Sequence, residues 1–349
     1  MSGVAVGGRT VLVTGTSLVG REALQLIESR GFAVRRLAQD EITGAELHAA
    51  LRGVSGYVIG GYEEPEPEHF DGAALLEAVA FVGADFRAAV PGWSRAFELG
   101  TALACTPGAN ADSVAEFAAL LMLSLARPII GSVARPGPDG LEAPESMGPP
   151  ALELRGLTLG VIGPGRIGTR MATIASEGLG MHVLYTAPRR NDVFESAVRA
   201  RFLPKRELLA ASDVVTLHRP GPARGAEPEI GRVELDLMRE GAMLVNTGHP
   251  DLVDPVALRH AIEVRRIRAA SDGLRRTPAW RSLVELGPDR FLCLPQSGFH
   301  TEAANLRASL RAAEAVCSVL DGADVVHPDI QNPGYRAVRR AAGRPGAAQ

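Results

Sequence analysis

Three glycines carry the most specific chemistry in this chain. Gly163, Gly165 and Gly168 stand in LTLGVIGPGRIG (157–168), directly after an apolar run and at the start of a helical pattern. The first glycine of such a motif permits a tight turn, and the second lets the backbone approach a pyrophosphate. The third lets helix and strand pack closely. Arg166 and Ile167 lie between the last two, where the N–H groups of a helix start attract phosphate. The motif predicts a dinucleotide site. After the next apolar run, HVLYT, a site built for NAD would carry Asp or Glu to bind the ribose 2′-OH. Thr186 or Ala187 holds that place, and Arg189 and Arg190 follow. A carboxylate would repel a 2′-phosphate, whereas a guanidinium binds it bidentately. The spacing predicts a preference for NADP(H). If both arginines are merely solvated, NAD(H) would serve as well.

Other chemistries are excluded by counts. Lys205 is the only lysine, and its setting, LPKREL, fits neither a Schiff-base lysine nor a phosphate-loop lysine. Cys105, Cys293 and Cys317 are far apart, and the eight histidines show no H-E-x-x-H, so no metal site and no disulfide framework is expected. The net charge of −3 predicts no nucleic-acid partner. The apolar stretch from Phe117 to Ala126 is half a membrane span, and Met1–Gly8 lacks a signal-peptide pattern, so no membrane partner and a cytoplasmic location are expected.

The elements that must position these residues follow from periodicity. The length of 349 residues suits about two domains. Residues 10–14 (TVLVT) read as a buried strand, 20–30 as a helix, 32–37 as a strand, 44–52 as a helix and 57–59 as a strand. A second βα series begins at Leu157, with strands at 158–162, 182–186, 213–217, 242–246, 267–271 and 291–294. Alternation of this kind predicts parallel sheets with helices on both faces. A last helix covers 302–320, and the basic tail from Gly334 is expected to fray. The helix from Ser113 to Leu125 is the most apolar in the chain, which suits an interior or an interface. Residues 128–150 are rich in Pro and Gly and read as a linker or arm. TGTSLVG at Thr14–Gly20 resembles the glycine turn of short-chain dehydrogenases. No tyrosine is followed four residues later by lysine, so the segment reads as an ordinary βα turn.

The sequence resembles the D-2-hydroxyacid dehydrogenase family from about residue 10 to 325. TPGANADSVAEF (106–117), LRGLTLGVIGPGRIG (154–168), ASDVVTLHRP (211–220) and MLVNTGHPDLVD (243–254) carry the likeness. It implies two doubly wound parallel-sheet domains with the active site in the cleft. A flavodoxin-like substrate domain would comprise 1–108 and 296–349, and a Rossmann domain 109–295. The helix and arm at 113–150 would form a homodimer. It also implies that Val114, His218, Arg219, Pro220, Thr247, Gly248 and Asp272 line the cofactor site. Substrate contacts are expected from Gly60, Gly61 and Tyr62, and from Gly83, Ala84 and Trp93. Tyr62 and Trp93 read equally well as cleft or core.

The family reduces a 2-keto acid with an arginine that holds the substrate, a histidine that donates a proton and a glutamate that tunes the histidine. His249 stands where the arginine belongs, Thr277 where the glutamate belongs and Gln296 where the histidine belongs. Glutamine releases no proton near neutral pH. His249 and His300 are the candidate replacements, with Arg275 and Arg276 as sources of positive charge. The expectation is an NADP(H)-dependent oxidoreductase acting on a small molecule, an unusual carbonyl, imine or hydroxy compound. The alternatives are a non-catalytic NADP-binding protein and an ordinary 2-keto acid reductase.

Overall fold

The computed structural model describes residues 8–127, 129–130, 135–137, 140–142, 151–222 and 225–344. The chain divides into two compact units. One comprises residues up to Asn110 and from His300 onward; the other runs from Ala111 to Phe299.

The first unit is built on five parallel strands, β1 (Thr10–Thr14), β2 (Ala33–Leu37), β3 (Gly56–Ile59), β4 (Ala78–Phe81) and β5 (Ala102–Cys105), in the order β2-β1-β3-β4-β5. β1 is TVLVT with Val11, Leu12 and Val13 fully buried, as a strand covered on both faces requires. Helices α1 (Arg21–Ser29), α2 (Gly44–Leu51), α3 (Pro67–Asp71), α4 (Phe86–Ala89) and α5 (Trp93–Glu98) connect the strands. Thr43 and Glu46 form a reciprocal capping box at the start of α2.

The second unit opens with α6 (Ala111–Ala126) and a short antiparallel pair, β6 (Arg135–Gly137) with β7 (Gly140–Glu142). Seven parallel strands follow: β8 (Thr158–Ile162), β9 (His182–Thr186), β10 (Arg201–Phe202), β11 (Val214–Leu217), β12 (Met243–Asn246), β13 (Arg268–Asp272) and β14 (Phe291–Leu294). Their order is β10-β9-β8-β11-β12-β13-β14. The helices are α7 (Arg166–Thr173), α8 (Asp192–Val198), α9 (Lys205–Ala211), α10 (Arg232–Leu237), α11 (Pro255–Arg265) and α12 (Pro278–Val284). One apolar cluster joins α6 and α7 to one sheet face, and a second joins α9 to α12 to the other. The chain leaves β8 toward β9 and later returns on the other side to β11. The order therefore reverses beside β8, where open α/β sheets bind ligands.

The first unit is completed by α13 (Glu302–Leu320) and α14 (Tyr335–Ala341). Before α14 the chain lies along β5. Gln331 N–H donates to Leu103 O at 2.7 Å and Cys105 N–H to Asp329 O at 3.2 Å, so this sheet edge is covered.

The expectation of a fraying tail is corrected here. Tyr335 and Arg339 are 2% and 4% exposed. Arg339 Nη1 donates to Leu76 O at 2.7 Å, and Arg344 donates to Ala73 O and Phe70 O at 3.2 and 3.3 Å. Arg339 and Arg344 thus satisfy carbonyl groups at and beyond the end of α3. Gly100 makes this possible, because a Cβ there would sit 2.2 Å from Arg339 N. Most of the arm at 128–150 lies outside the described residues. No helix among the described residues is long and apolar enough to cross a membrane.

Candidate functional site

The glycine turn sits at the reversal of the second sheet. Gly163 follows β8 with φ +93°, a conformation that L side chains rarely adopt, and a Cβ there would lie 2.6 Å from His218 O at the end of β11. A Cβ on Gly168 would lie 2.3 Å from Gly163 O, so the helix can pack this closely only with glycine. Gly165 caps α7, and a Cβ on it would meet nothing within 4 Å. The first and third glycines are dictated by neighbouring backbone, whereas the second leaves space open in front of a helix start. These residues fit a pyrophosphate. Arg166 is exposed and Ile167 half-buried on the first turn of α7.

The two arginines beyond β9 differ. Arg190 is drawn back onto α8: its Nε and Nη2 donate to the Glu195 carboxylate at 3.0 and 2.7 Å, and Tyr185 OH donates to the same group at 2.7 Å. Arg189 is exposed with no such bond among the described residues, close in sequence to half-buried Ala187. Of the pair expected to face a 2′-phosphate, one already has a carboxylate partner. Glu195 gave no signal in the sequence, since the contact depends on how Asn191 caps α8.

His218 bridges two hydroxyls, with Thr216 Oγ1 at 3.0 Å from Nε2 and Thr247 Oγ1 at 3.1 Å from Nδ1. Burial pushes its pKa down to about 3, so it stays neutral at physiological pH. Arg219 pairs with Glu229 at 3.2 Å. Pro220 is exposed. A Cβ on Gly248 would lie 2.6 Å from Arg219 O, which keeps the ends of β11 and β12 in contact. Val114 lies buried in α6.

His249 begins the short 3-10 turn after β12. Its Nδ1 receives Asp251 N–H at 3.2 Å, and Arg275 Nη2 approaches Nε2 at 3.0 Å. A neutral imidazole accepts at only one nitrogen, so two donors facing the ring disfavour adding a further proton. The His249 pKa is lowered, chiefly by burial; Asp251 opposes the shift and Arg275 adds to it. Arg275 reaches from the loop after β13 and grips Asp251 through Nε and Nη2 at 2.9 and 2.8 Å. Its Nη1 has no partner among the described residues. Arg275 thus brings a guanidinium to His249, the residue expected at the family's arginine position.

Asp272, at the end of β13, accepts Ser297 N–H at 2.6 Å and Gly298 N–H at 2.9 Å. Burial raises its pKa and the two bonds oppose that shift. A Cβ on Gly298 would lie 2.7 Å from Asp272 Oδ2, so glycine is needed for this grip. The held loop presents Gln296, exposed and left-handed at φ +59°, a conformation costly for a side chain of this kind. Thr277 precedes Pro278 as the cap residue of α12, and its side chain makes no cap bond. His300 belongs to the other unit, where its Nδ1 lies 3.1 Å from Asn305 Nδ2.

In the first unit, Gly60 and Gly61 follow β3. A Cβ on Gly60 would strike Val19 Cγ2 at 2.4 Å and one on Gly61 would strike Glu63 Oε2 at 2.2 Å. Glu63, which the sequence did not single out, is buried and accepts hydrogen bonds from Thr14 Oγ1 and from Tyr57 OH. Tyr62 is 68% exposed. Trp93 packs edge-on against Phe86 and Phe97 at 6.0 and 5.3 Å. Thr106 N–H donates to Gly83 O at 2.7 Å, which ties the loop of Gly83 and Ala84 to the end of β5.

Comparison with known proteins adds the context. Residues 120–295 match the model of the NAD-binding domain of D-isomer specific 2-hydroxyacid dehydrogenases. A glyoxylate reductase of Aeropyrum pernix is 31% identical over 253 residues, covering 70% of this chain and 73% of that protein. A D-3-phosphoglycerate dehydrogenase of Archaeoglobus fulgidus is 28% identical over 88% of this chain and 57% of its own length. The TT0316 protein of Thermus thermophilus superposes with a TM-score of 0.76 at 27% identity, over 92% of this chain and 99% of that one. D-lactate dehydrogenase of Escherichia coli has the same fold, with a TM-score of 0.76 at 22% identity over 92% and 99% of the two chains.

Proposed function

The chain belongs to the D-isomer specific 2-hydroxyacid dehydrogenase family, and on that premise we propose an NADP(H)-preferring member whose substrate-holding and proton-transfer groups have been rebuilt. The chain is an oxidoreductase with a pyridine nucleotide cofactor. The observation that carries the reading is the turn at the reversal of the second sheet, with crowding at Gly163 and Gly168 and open space at Gly165. Residues 163–168 would hold the pyrophosphate and Arg189 the 2′-phosphate. The nucleotide, when bound, supplies or removes the hydride.

The remaining chemistry falls to side chains of the loops after β12, β13 and β14. Arg275 holds an anionic group of the substrate through Nη1, while Asp251 fixes its other edge. Gln296 orients the substrate through its amide. His249 exchanges the proton, and its lowered pKa leaves the ring unprotonated at neutral pH and free to accept one. This set suits oxidation or reduction of an anionic hydroxy, carbonyl or imine compound. The exposed face of α6 supports a homodimer.

The test is turnover of NADPH and NADH with glyoxylate and hydroxypyruvate, the acids that name several relatives. NADPH should be bound more than about tenfold tighter than NADH. Arg189→Ala should erase the preference and Arg190→Ala should change it little. Equal affinities in the unaltered protein would overturn the NADP(H) reading.

A further inference from the structure

We infer that the second unit carries an anion site at the amino ends of β8 and β9, apart from the nucleotide turn, and that it takes a small molecule with two phosphate-type charges. A cavity of about 690 Å³ opens there. That volume lies within the usual range of small-molecule sites, about 300–1,000 Å³. His182, Arg199, Arg201 and Arg239 line it, and no carboxylate among the described residues does.

The arginines are placed in two ways. Arg239 is fixed, with Nη1 donating to Asp213 Oδ1 at 2.6 Å and Nε to Ala210 O at 3.2 Å. Asp213 is itself held, because its other oxygen accepts Thr158 N–H at 2.8 Å. Arg199 and Arg201 flank the buried Ala200, and their guanidinium groups have no hydrogen bond or ion pair among the described residues. Arg199 also takes a left-handed conformation, φ +53°, at the end of α8, where glycine would be cheaper.

The local charge favours an anion after the opposing terms are counted. The carboxyl ends of α8 and of the π-turn at Ile174–Gly178 face this side, and each contributes roughly half a negative charge. Together with Asp213 they offset about two of the three guanidinium charges. One positive charge remains. Two unpaired guanidinium groups two residues apart supply planar donor forks for two phosphoryl groups.

The position separates this site from the cofactor. The glycine turn follows the carboxyl end of β8 at Ile162, and the cavity opens at its amino end at Thr158. Four residues of strand put about 13 Å between them. The ligand class is therefore a compact molecule with two phosphoryl groups, bound together with the nucleotide.

The experiment is calorimetric titration of inorganic pyrophosphate into the full protein saturated with NADPH. Saturable binding of one equivalent is expected. Arg201→Ala and Arg199→Ala should each weaken it about tenfold or more, with Arg201→Lys intermediate, while NADPH affinity is unchanged. NADPH binding also reports that each variant is folded. No saturable binding at millimolar pyrophosphate would overturn the proposal. So would binding that survives in the Arg199→Ala, Arg201→Ala double variant. Competition with NADPH would place the pyrophosphate at the glycine turn and overturn it as well.

Discussion

Arg275 shows how one residue can alter the chemistry of its neighbour. It faces His249 Nε2 while gripping Asp251, so it lowers the imidazole pKa and also offsets the carboxylate that would raise it. Arg275→Leu removes a positive charge and an N–H donor and leaves Asp251 unopposed. The His249 pKa should then rise. In the unaltered enzyme the pH-dependent limb should lie below the ordinary histidine value of about 6.5, and in the variant it should move upward. The KM for an anionic substrate should rise about tenfold or more, with NADPH affinity unchanged. Steady-state rates across pH 4.5–8 check both effects. An unmoved limb would show that His249 does not titrate in turnover.

At the scale of the element, the turn between β8 and α7 separates two uses of glycine. Gly168→Ala drives a methyl group against Gly163 O, and backbone cannot yield as a flexible side chain can. It should cost about 1–3 kcal/mol and lower the melting temperature by several degrees. Gly165→Ala meets open space at φ −80° and should leave the melting temperature within about 1 °C. NADPH affinity should nevertheless fall about tenfold or more, since the methyl group occupies the place of the phosphate. Thermal melts paired with NADPH titration make the comparison. Loss of stability without loss of affinity in Gly165→Ala would contradict the cradle.

For the whole molecule, assembly turns on α6. Helix α6 buries Ala115, Leu121, Met122 and Leu125 against its own sheet, yet leaves Leu120 and Leu123 51% and 40% exposed, and Ile129 just beyond is 54% exposed. Leu120 and Leu123, three residues apart on one helix face, would suit an interaction surface. In a two-fold dimer the same patch on a second copy would cover it. Light scattering should give a mass near twice 36.7 kDa. The pair Leu120→Glu and Leu123→Glu should give monomers with unchanged NADPH affinity. A monomeric unaltered protein at micromolar concentration would exclude this assembly.

What the sequence by itself determined was what depends on near neighbours. The glycine turn, the strands on both sides of it and the long helix at 302–320 were legible because steric need and apolar periodicity act within a few residues. The reading of His249, Thr277 and Gln296 as replacements rests on the aligned motifs alone. Side-chain partners were decided only by the tertiary structure. Arg190 and Arg189 are adjacent and alike, but only the first finds Glu195. Arg275 meets Asp251 across 24 positions, and Asp272 holds Gly298 across 26. Arg339 reaches Leu76 O across 263, which turns a basic tail into a docked helix. A guanidinium or a carboxylate binds whichever complementary group the fold brings within about 3 Å, and no local pattern records which group that will be.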